Sequence, residues 1–337
     1  MSDQLRFSVG IPAYKGRFLA ECIISILNQS YPLFELIIVN DCSPDPLDSI
    51  VSHFNDNRIR YFKNNKNEGA EYVANNYNRC LEKANGDFFI LMGDDDKMEP
   101  DYLEEFAKLI QKFPELDVFH CRSLIINEHS DAVIYTPSWP EYETVYDNIW
   151  HRMNGYRVLF IADYVYRLST LKKNGGFYYM PLGWYTDDIT SYIAMSDKGI
   201  AHTNKPVLNY RMHAVNISSV GNYELKMKAV LQQHRWFSKF LETVPKSQSD
   251  LIIYQDLCKN IGRLIQKHKF EVIAASFNSL LIKNYFKWLK KRKEYQLSAY
   301  EIAYSLFHFL KVKRSEKKQI IQDKQKSKMH IKLQSTN

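Results

Sequence analysis

Three adjacent carboxylates close an apolar run in Phe88-Phe89-Ile90-Leu91-Met92-Gly93-Asp94-Asp95-Asp96. Side by side they repel one another, and a folded chain keeps them together where solvent or a cation relieves the repulsion. Carboxylate oxygens suit hard cations such as Mg2+ or Mn2+, which in turn bridge phosphate oxygens. A solvated acidic turn is the plain alternative, but the position at the end of a buried strand favours the cation. A second pair, Asp187-Asp188, follows Gly183-Trp184-Tyr185-Thr186 and opens a helical pattern. Such a pair can cap a helix N-terminus or take a proton from a substrate hydroxyl.

These residues need elements to hold them. Arg6–Ile11 is an apolar run closed by Pro12, Phe34–Val39 a second that ends at Asn40-Asp41, Ile59–Phe62 a third and Phe88–Met92 a fourth. Each reads as a strand. Leu19, Ile23, Ile26 and Leu27 recur at helical spacing, and Ala70 to Ala84 and Asp101–Lys112 read as further helices. This alternation predicts an α/β fold with a mostly parallel central sheet flanked by helices. Ligands bind such sheets beyond the carboxyl ends of the strands. Pro12-Ala13-Tyr14, Asn40-Asp41 and the acidic triplet all follow such ends, so one crevice is expected to gather all three turns. Residues 113–215 are mixed, with strands expected near Asp117–Asn127 and Val207–Met212 and a helix near Asp188–Ser196. The 136–157 stretch, which carries Trp139, Tyr142, Tyr146 and Trp150, is expected to be an acceptor-side flap or a folded loop.

Several of these segments, in this order and spacing, resemble the family 2 glycosyltransferases, which are built on the GT-A fold. The resemblance runs over residues 6 to 215. Ser8-Val9-Gly10-Ile11-Pro12-Ala13-Tyr14 resembles the first strand and nucleotide-binding turn, and Ser25-Ile26-Leu27-Asn28-Gln29-Ser30-Tyr31 the helix ending after it. Glu35 to Ser43 resembles the second strand with its uridine-contacting aspartate, here Asp41. Asn67-Glu68-Gly69, Asn78 and Ala84-Asn85-Gly86-Asp87 resemble the approach to the metal motif, and Tyr210-Arg211-Met212-His213 with Ser218-Ser219 the closing segment. The chain departs from the pattern twice. Gly93 stands where many members have the first aspartate of Asp-x-Asp-Asp, and Asp187 stands where the family has glutamate.

The resemblance implies a metal-dependent, inverting glycosyltransferase that moves a sugar from a nucleotide-diphosphate donor, UDP-linked in the expectation, to a hydroxyl of a glycan or lipid-linked acceptor. Carried over residue by residue, it puts Pro12, Ala13, Tyr14, Asp41, Asn67, Gly69, Asp94 and Arg211 on the nucleotide-sugar. It puts Asp95, Asp96 and His213 on Mn2+ or Mg2+, and makes Asp188 the general base. Trp184 and Tyr185 flank that base and can stack on a sugar ring or simply pack. His202 has no such context and reads as structural.

Composition narrows the alternatives. Of the 337 residues 14% are aromatic, and the net charge of +7 is uneven. From residue 281 onward 15 Lys and Arg face 4 Asp and Glu. Trp288 beside Lys290, Lys291, Arg292 and Lys293 suggests an anchor at an anionic membrane surface, with a solvated basic face as the alternative. No nucleic-acid module accompanies the charge, so no nucleic acid is expected as partner. Five scattered cysteines without a Cys-x-x-Cys pair fit a reducing compartment. The first residues lack the plan of a signal peptide, and no apolar run approaches the roughly 18 to 20 residues of a spanning helix. The expected location is cytoplasmic, peripheral at the inner membrane face. The expected domains are a catalytic domain over 1–221, a helical region over 222–312 and a basic, flexible tail over 313–337. Neither Gly-x-x-x-x-Gly-Lys-Ser/Thr nor Gly-x-Gly-x-x-Gly occurs, against P-loop and dinucleotide folds. A nucleotidyltransferase remains as an alternative enzyme, although the first turn lacks its Gly-rich basic loop. A catalytically silent binding module is the other alternative.

Overall fold

A computed structural model describes residues 5–213 and 222–315. In chain order the elements are β1 (Phe7–Ala13), α1 (Leu19–Leu27), β2 (Phe34–Asn40), α2 (Leu47–Ser52), β3 (Ile59–Lys63), α3 (Val73–Lys83), β4 (Phe88–Leu91), β5 (Lys97–Met98), α4 (Tyr102–Lys112) and β6 (Val118–Ile126). There follow β7 (Ala132–Tyr135), β8 (Tyr142–Glu143), α5 (Val145–Met153), β9 (Tyr164–Arg167), α6 (Leu168–Lys173), α7 (Thr186–Met195), β10 (Ile200–Arg211), α8 (Tyr223–Phe240) and α9 (Gln248–Lys291). A last helix, α10, spans 299–315. Ser218, Ser219 and the basic tail from 316 onward lie outside the described residues.

The strands form one sheet in the order β3-β2-β1-β4-β9-β6-β10-β5, with β7 beside β6 and β8 beside β10. β1 to β4 run parallel, as their apolar runs predict, because a strand covered on both faces needs no polar alternation. Phe7, Val9, Ile11, Phe88, Phe89 and Ile90 are fully buried. β1 and β2 are paired from Phe7↔Phe34 to Ala13↔Asn40, while β4 stops opposite Gly10. The turn after β4 therefore climbs over the end of β1, and this brings the acidic triplet level with Tyr14.

Two of the elements that were not expected bear on the site. β9 enters antiparallel between β4 and β6; four residues running straight into α6 leave no period to read. α5 occupies the centre of the stretch expected as a flap or loop. Thr144 caps it by accepting a hydrogen bond from the Asp147 N–H at 3.3 Å, and Val145, Ile149 and Met153 form its buried stripe.

The chain divides into two compact units, one of Met1–Gly221 with Arg235–Asn260, the other of Asn222–His234 with Ile261–Asn337. The helical region thus does not begin at a single cut. Within the first unit, Trp236 lies against Tyr192 of α7 (ring centroids 5.7 Å apart) and Tyr254 against Tyr146 of α5 (6.2 Å), while the Trp150 indole N–H donates to Asp256 at 2.8 Å. Within the second, α9 breaks its helical path at Leu280, and the segment beyond binds back through Asn284 Nδ2 to the Ser276 carbonyl at 2.7 Å. Trp288 is buried there, its indole N–H on Ser276 Oγ at 2.9 Å. It is a core residue of this unit rather than an interfacial anchor. Among the described residues of this unit the exposed aromatic side chains are instead Phe286, Tyr300, Tyr304 and Phe307.

Candidate active site

The crevice at the strand ends is built by main chain first. The Asp41 N–H donates to the Ala13 carbonyl at 2.9 Å, tying the end of β2 to that of β1. Asp94 then crosses from the end of β4 and accepts the N–H groups of both Tyr14 and Lys15 on one oxygen, each at 2.7 Å. Ser43 Oγ donates to the Tyr14 carbonyl from the other side. Pro12, Ala13 and Tyr14 are thus fixed between two aspartates, and the Tyr14 ring stands exposed. Burial, followed by the neighbouring Asp95, pushes Asp94 up to about 6 against the pull of its two N–H donors.

Asp41 itself is buried. Asn64 Nδ2 donates to it at 2.7 Å, and the Glu68 N–H reaches both of its oxygens at 3.2 Å. Burial raises its pKa even so. Asn67 binds the Asp41 carbonyl through Nδ2 at 2.9 Å, so it shapes this loop from behind. Gly69 takes φ +74°, a left-handed conformation open to glycine without strain, and starts the short 3-10 turn that leads into α3.

The three adjacent aspartates do three different things. Asp95 is part-buried and its Oδ2 lies 2.8 Å from His213 Nε2. That contact brings together a carboxylate on the β4 turn and an imidazole beyond β10, two residues 118 apart in sequence. Asp96, expected on the metal, is buried instead and accepts the Arg211 N–H at 2.9 Å. Burial, foremost, and then Asp95 push its pKa well above the usual carboxylate range. Arg211, expected on the diphosphate, is fully buried. Its Nε donates to the Asp95 carbonyl at 2.8 Å and its Nη2 to Glu21 at 2.9 Å, with the guanidinium over the Phe18 ring at 4.2 Å. Both placements have one cause. The end of β10 meets the acidic turn there, where Asp96 takes the Arg211 N–H and the Asp95 carbonyl and Glu21 take its side chain.

At the head of α7 the two aspartates also part. Asp188, expected as the base, is buried, with Arg152 Nε and Nη2 on its two oxygens at 2.8 and 3.2 Å and the Tyr192 hydroxyl at 3.2 Å. A carboxylate so occupied is poorly placed to receive a substrate proton. Asp187 is part-buried, and its recorded partner is the Asp188 N–H at 3.0 Å. Burial, then the charge of Asp188, pushes its pKa up to about 7 against the pull of Arg152. The loop ahead of the pair holds Leu182, Gly183 and Tyr185 all at φ +62° to +67°; for Leu182 and Tyr185 this is a strained backbone of the kind met at functional sites. Trp184 and Tyr185 contact edge to face, with centroids 5.9 Å apart.

Sequence reasoning missed Arg152. The signal was there, because Thr144-Val145-Tyr146-Asp147 is a helix-start pattern that would have put Arg152 on α5. His202, read as structural, is buried with its Nδ1 2.9 Å from His120 Nδ1 and its ring stacked on Trp139. Among the described residues no group of three or more His, Cys, Asp or Glu converges as a ready metal cage. Asp95 and His213 form a pair of the right chemistry for a divalent ion, oxygen and imidazole, with phosphate oxygens left to complete the shell.

Residues 8–164 match the model of the family described as "Glycosyl transferase family 2". The glycosyltransferase GlyA of Streptococcus pneumoniae is 24% identical over 278 residues, covering 78% of this chain and 36% of GlyA. The first curated relatives are matched over only 36% to 57% of their own length. Among solved structures, residues 1–349 of Staphylococcus aureus TarS in complex with UDP-GlcNAc superpose with a TM-score of 0.59 at 17% identity, over 93% of this chain and 92% of that one. A mannosyltransferase from Pyrobaculum calidifontis in complex with GDP-Man and Mn2+ gives 0.51 at 15% identity, over 92% and 87%. At these identities the likeness is one of fold, and the fold is GT-A.

Proposed function

We propose that the chain, whose residues 8–164 match the family 2 glycosyltransferase model, moves a sugar from a nucleoside diphosphate, UDP in the first instance, to a hydroxyl of a glycan or lipid-linked acceptor, with inversion at the anomeric carbon. The observation that carries this reading is the meeting of Asp94 with the β1 turn and of Asp95 with His213. Together they give a crevice that pairs a nucleotide-sized turn with a divalent-ion pair. The nucleotide-binding neighbours of the same fold, TarS with UDP-GlcNAc and the mannosyltransferase with GDP-Man, support the donor class.

In this reading Asp41, Tyr14 and the loop braced by Asn67 and Gly69 receive the nucleoside. Asp94 holds the β1 turn to its shape. Asp95 and His213 would hold a Mn2+ or Mg2+ ion, which when bound neutralises the charge growing on the leaving diphosphate. Asp187 takes the proton of the acceptor hydroxyl as that oxygen attacks the anomeric carbon. Asp188, clamped by Arg152, fixes the head of α7 so that Asp187 stays in place. The test is a screen of nucleotide-sugars with Mn2+ that reads released nucleoside diphosphate. Turnover with one donor supports the reading. Release of pyrophosphate from a nucleoside triphosphate and sugar phosphate would replace it with nucleotidyl transfer.

The second unit suggests the surface on which the acceptor is met. Exposed Phe286, Tyr300 and Phe307 occur among Lys283, Lys290, Arg292, Lys293, Lys311 and Arg314, aromatic and basic groups of the kind that rest on an anionic lipid face. No helix among the described residues is long and apolar enough to cross a membrane, so the proposed contact is peripheral. Vesicles containing phosphatidylglycerol should sediment the protein at low salt and release it at high salt. Equal sedimentation with neutral vesicles would remove the idea.

A further inference from the structure

The loop ahead of α7 meets α3 at Gly183, and the α3 residue there, Tyr77, has no role in the reading above. Its neighbours are locked. Asn76 is buried and donates to the Val39 carbonyl at 3.3 Å, while Asn78 Oδ1 accepts the Phe177 N–H at 2.7 Å and its Nδ2 donates to the Phe177 carbonyl at 3.1 Å. The Tyr77 ring packs edge-on against Phe177, with centroids 5.8 Å apart. Its hydroxyl reaches the loop ahead of Asp187, where a Cβ on Gly183 would come within 3.3 Å of it. Burial, foremost, and then the charges of Asp187, Asp94 and Asp95 hold its pKa up. It stays a phenol, able both to donate and to accept. Among the described residues it has no recorded hydrogen-bond partner, in a half-buried position where a partner is worth having.

In a direct displacement the bond that breaks, to the diphosphate, and the bond that forms, to the acceptor oxygen, meet at one carbon of the donor sugar. An unpaired hydroxyl against the loop that leads into the base carboxylate is therefore placed, on this reading, beside the sugar ring. We propose that the Tyr77 hydroxyl hydrogen-bonds a ring substituent of the donor hexose and helps decide which hexose is accepted. The inference rests on the glycosyl-transfer reading and on Asp187 and Asp95 flanking the reaction centre.

The phenyl variant Tyr77→Phe keeps the ring and its contact with Phe177, so the fold is expected to survive. Binding of UDP alone, and of UDP-glucose, UDP-galactose, UDP-GlcNAc and GDP-mannose, would be measured by calorimetry on the full chain with Mn2+. Thermal denaturation of both proteins would run alongside. The expected result is a loss of about tenfold in affinity for the preferred nucleotide-sugar, the size of one missing hydrogen bond. UDP binding should stay within twofold, and the preference among hexoses should narrow. Unchanged sugar binding would overturn the inference while leaving the transferase reading intact. Equal loss of UDP binding, or a clearly lowered melting temperature, would make Tyr77 part of the scaffold and also overturn it. Wild-type protein that binds none of these ligands would overturn the inference together with the reading beneath it.

Discussion

Asp187→Asn is expected to leave a folded protein that binds its nucleotide-sugar normally but transfers sugar about 10^2- to 10^4-fold more slowly, the usual contribution of a positioned general base. The amide keeps the shape and the contact with the Asp188 N–H, but it cannot take a proton. The pH profile should carry the same signature. Burial and the Asp188 charge raise the Asp187 pKa to about 7. Below that pH the carboxylate is protonated and idle, and above it the carboxylate is free to act. The turnover number should therefore rise with pH through about 7 and then level off. Asp188→Asn should behave differently. It frees Arg152 from a pair that uses both carboxylate oxygens, and breaking a buried pair by removing one partner is strongly destabilising. The melting temperature should fall, with a smaller loss of turnover in the protein that remains folded. Full activity in Asp187→Asn with none in a folded Asp188→Asn would hand the base role back to Asp188.

The second large effect concerns the ion. Chelation by EDTA should abolish transfer, and added Mn2+ should restore it. Asp95→Ala should abolish both the restoration and any Mn2+-dependent tightening of UDP binding, a loss of several kcal/mol of charge stabilisation and so roughly 10^2- to 10^4-fold in rate. His213→Ala should bind UDP but need more Mn2+ to reach half-maximal rate. Asp96→Asn should not change the Mn2+ requirement, because its carboxylate is engaged with the Arg211 N–H. An EDTA-treated protein that works as well as before would end the metal assignment for Asp95 and His213 together.

Much of the scaffold could be read from the chain because its strands are simple. β1, β2 and β4 are buried on both faces and appear as mostly apolar runs, each followed by a polar turn, and the rule that ligands gather there drew attention to the turns that hold Asp41 and Asp94. What could not be read is direction within a cluster. Successive residues of a helix point about 100° apart, so Asp187-Asp188 gives no sign of which one meets Arg152 and which one looks out. The acidic triplet hides a similar split, since its side chains are aimed by a tight turn whose dihedrals no pattern reveals. Arg211 lay beyond reach for another reason. A basic residue near a proposed diphosphate site invites pairing with phosphate, yet Glu21, Phe18 and the Asp95 carbonyl, from distant parts of the chain, claim it first. The basic cluster after Trp288 was legible, but Trp288 itself is buried, because its indole N–H found a partner in Ser276.

The clasp of Asp96 and Arg211 has a consequence for adaptability. It joins the rim behind β4 to the tail of β10 and, through Glu21, to α1, so one jaw of the cleft is stiff. In the second jaw, the loop of residues 182–185, Leu182 and Tyr185 hold strained backbone conformations, and a change there releases strain instead of breaking a buried clasp. Variation selected for new acceptors should therefore collect in that second jaw, where a changed loop can reshape the entrance while the nucleotide end keeps its form.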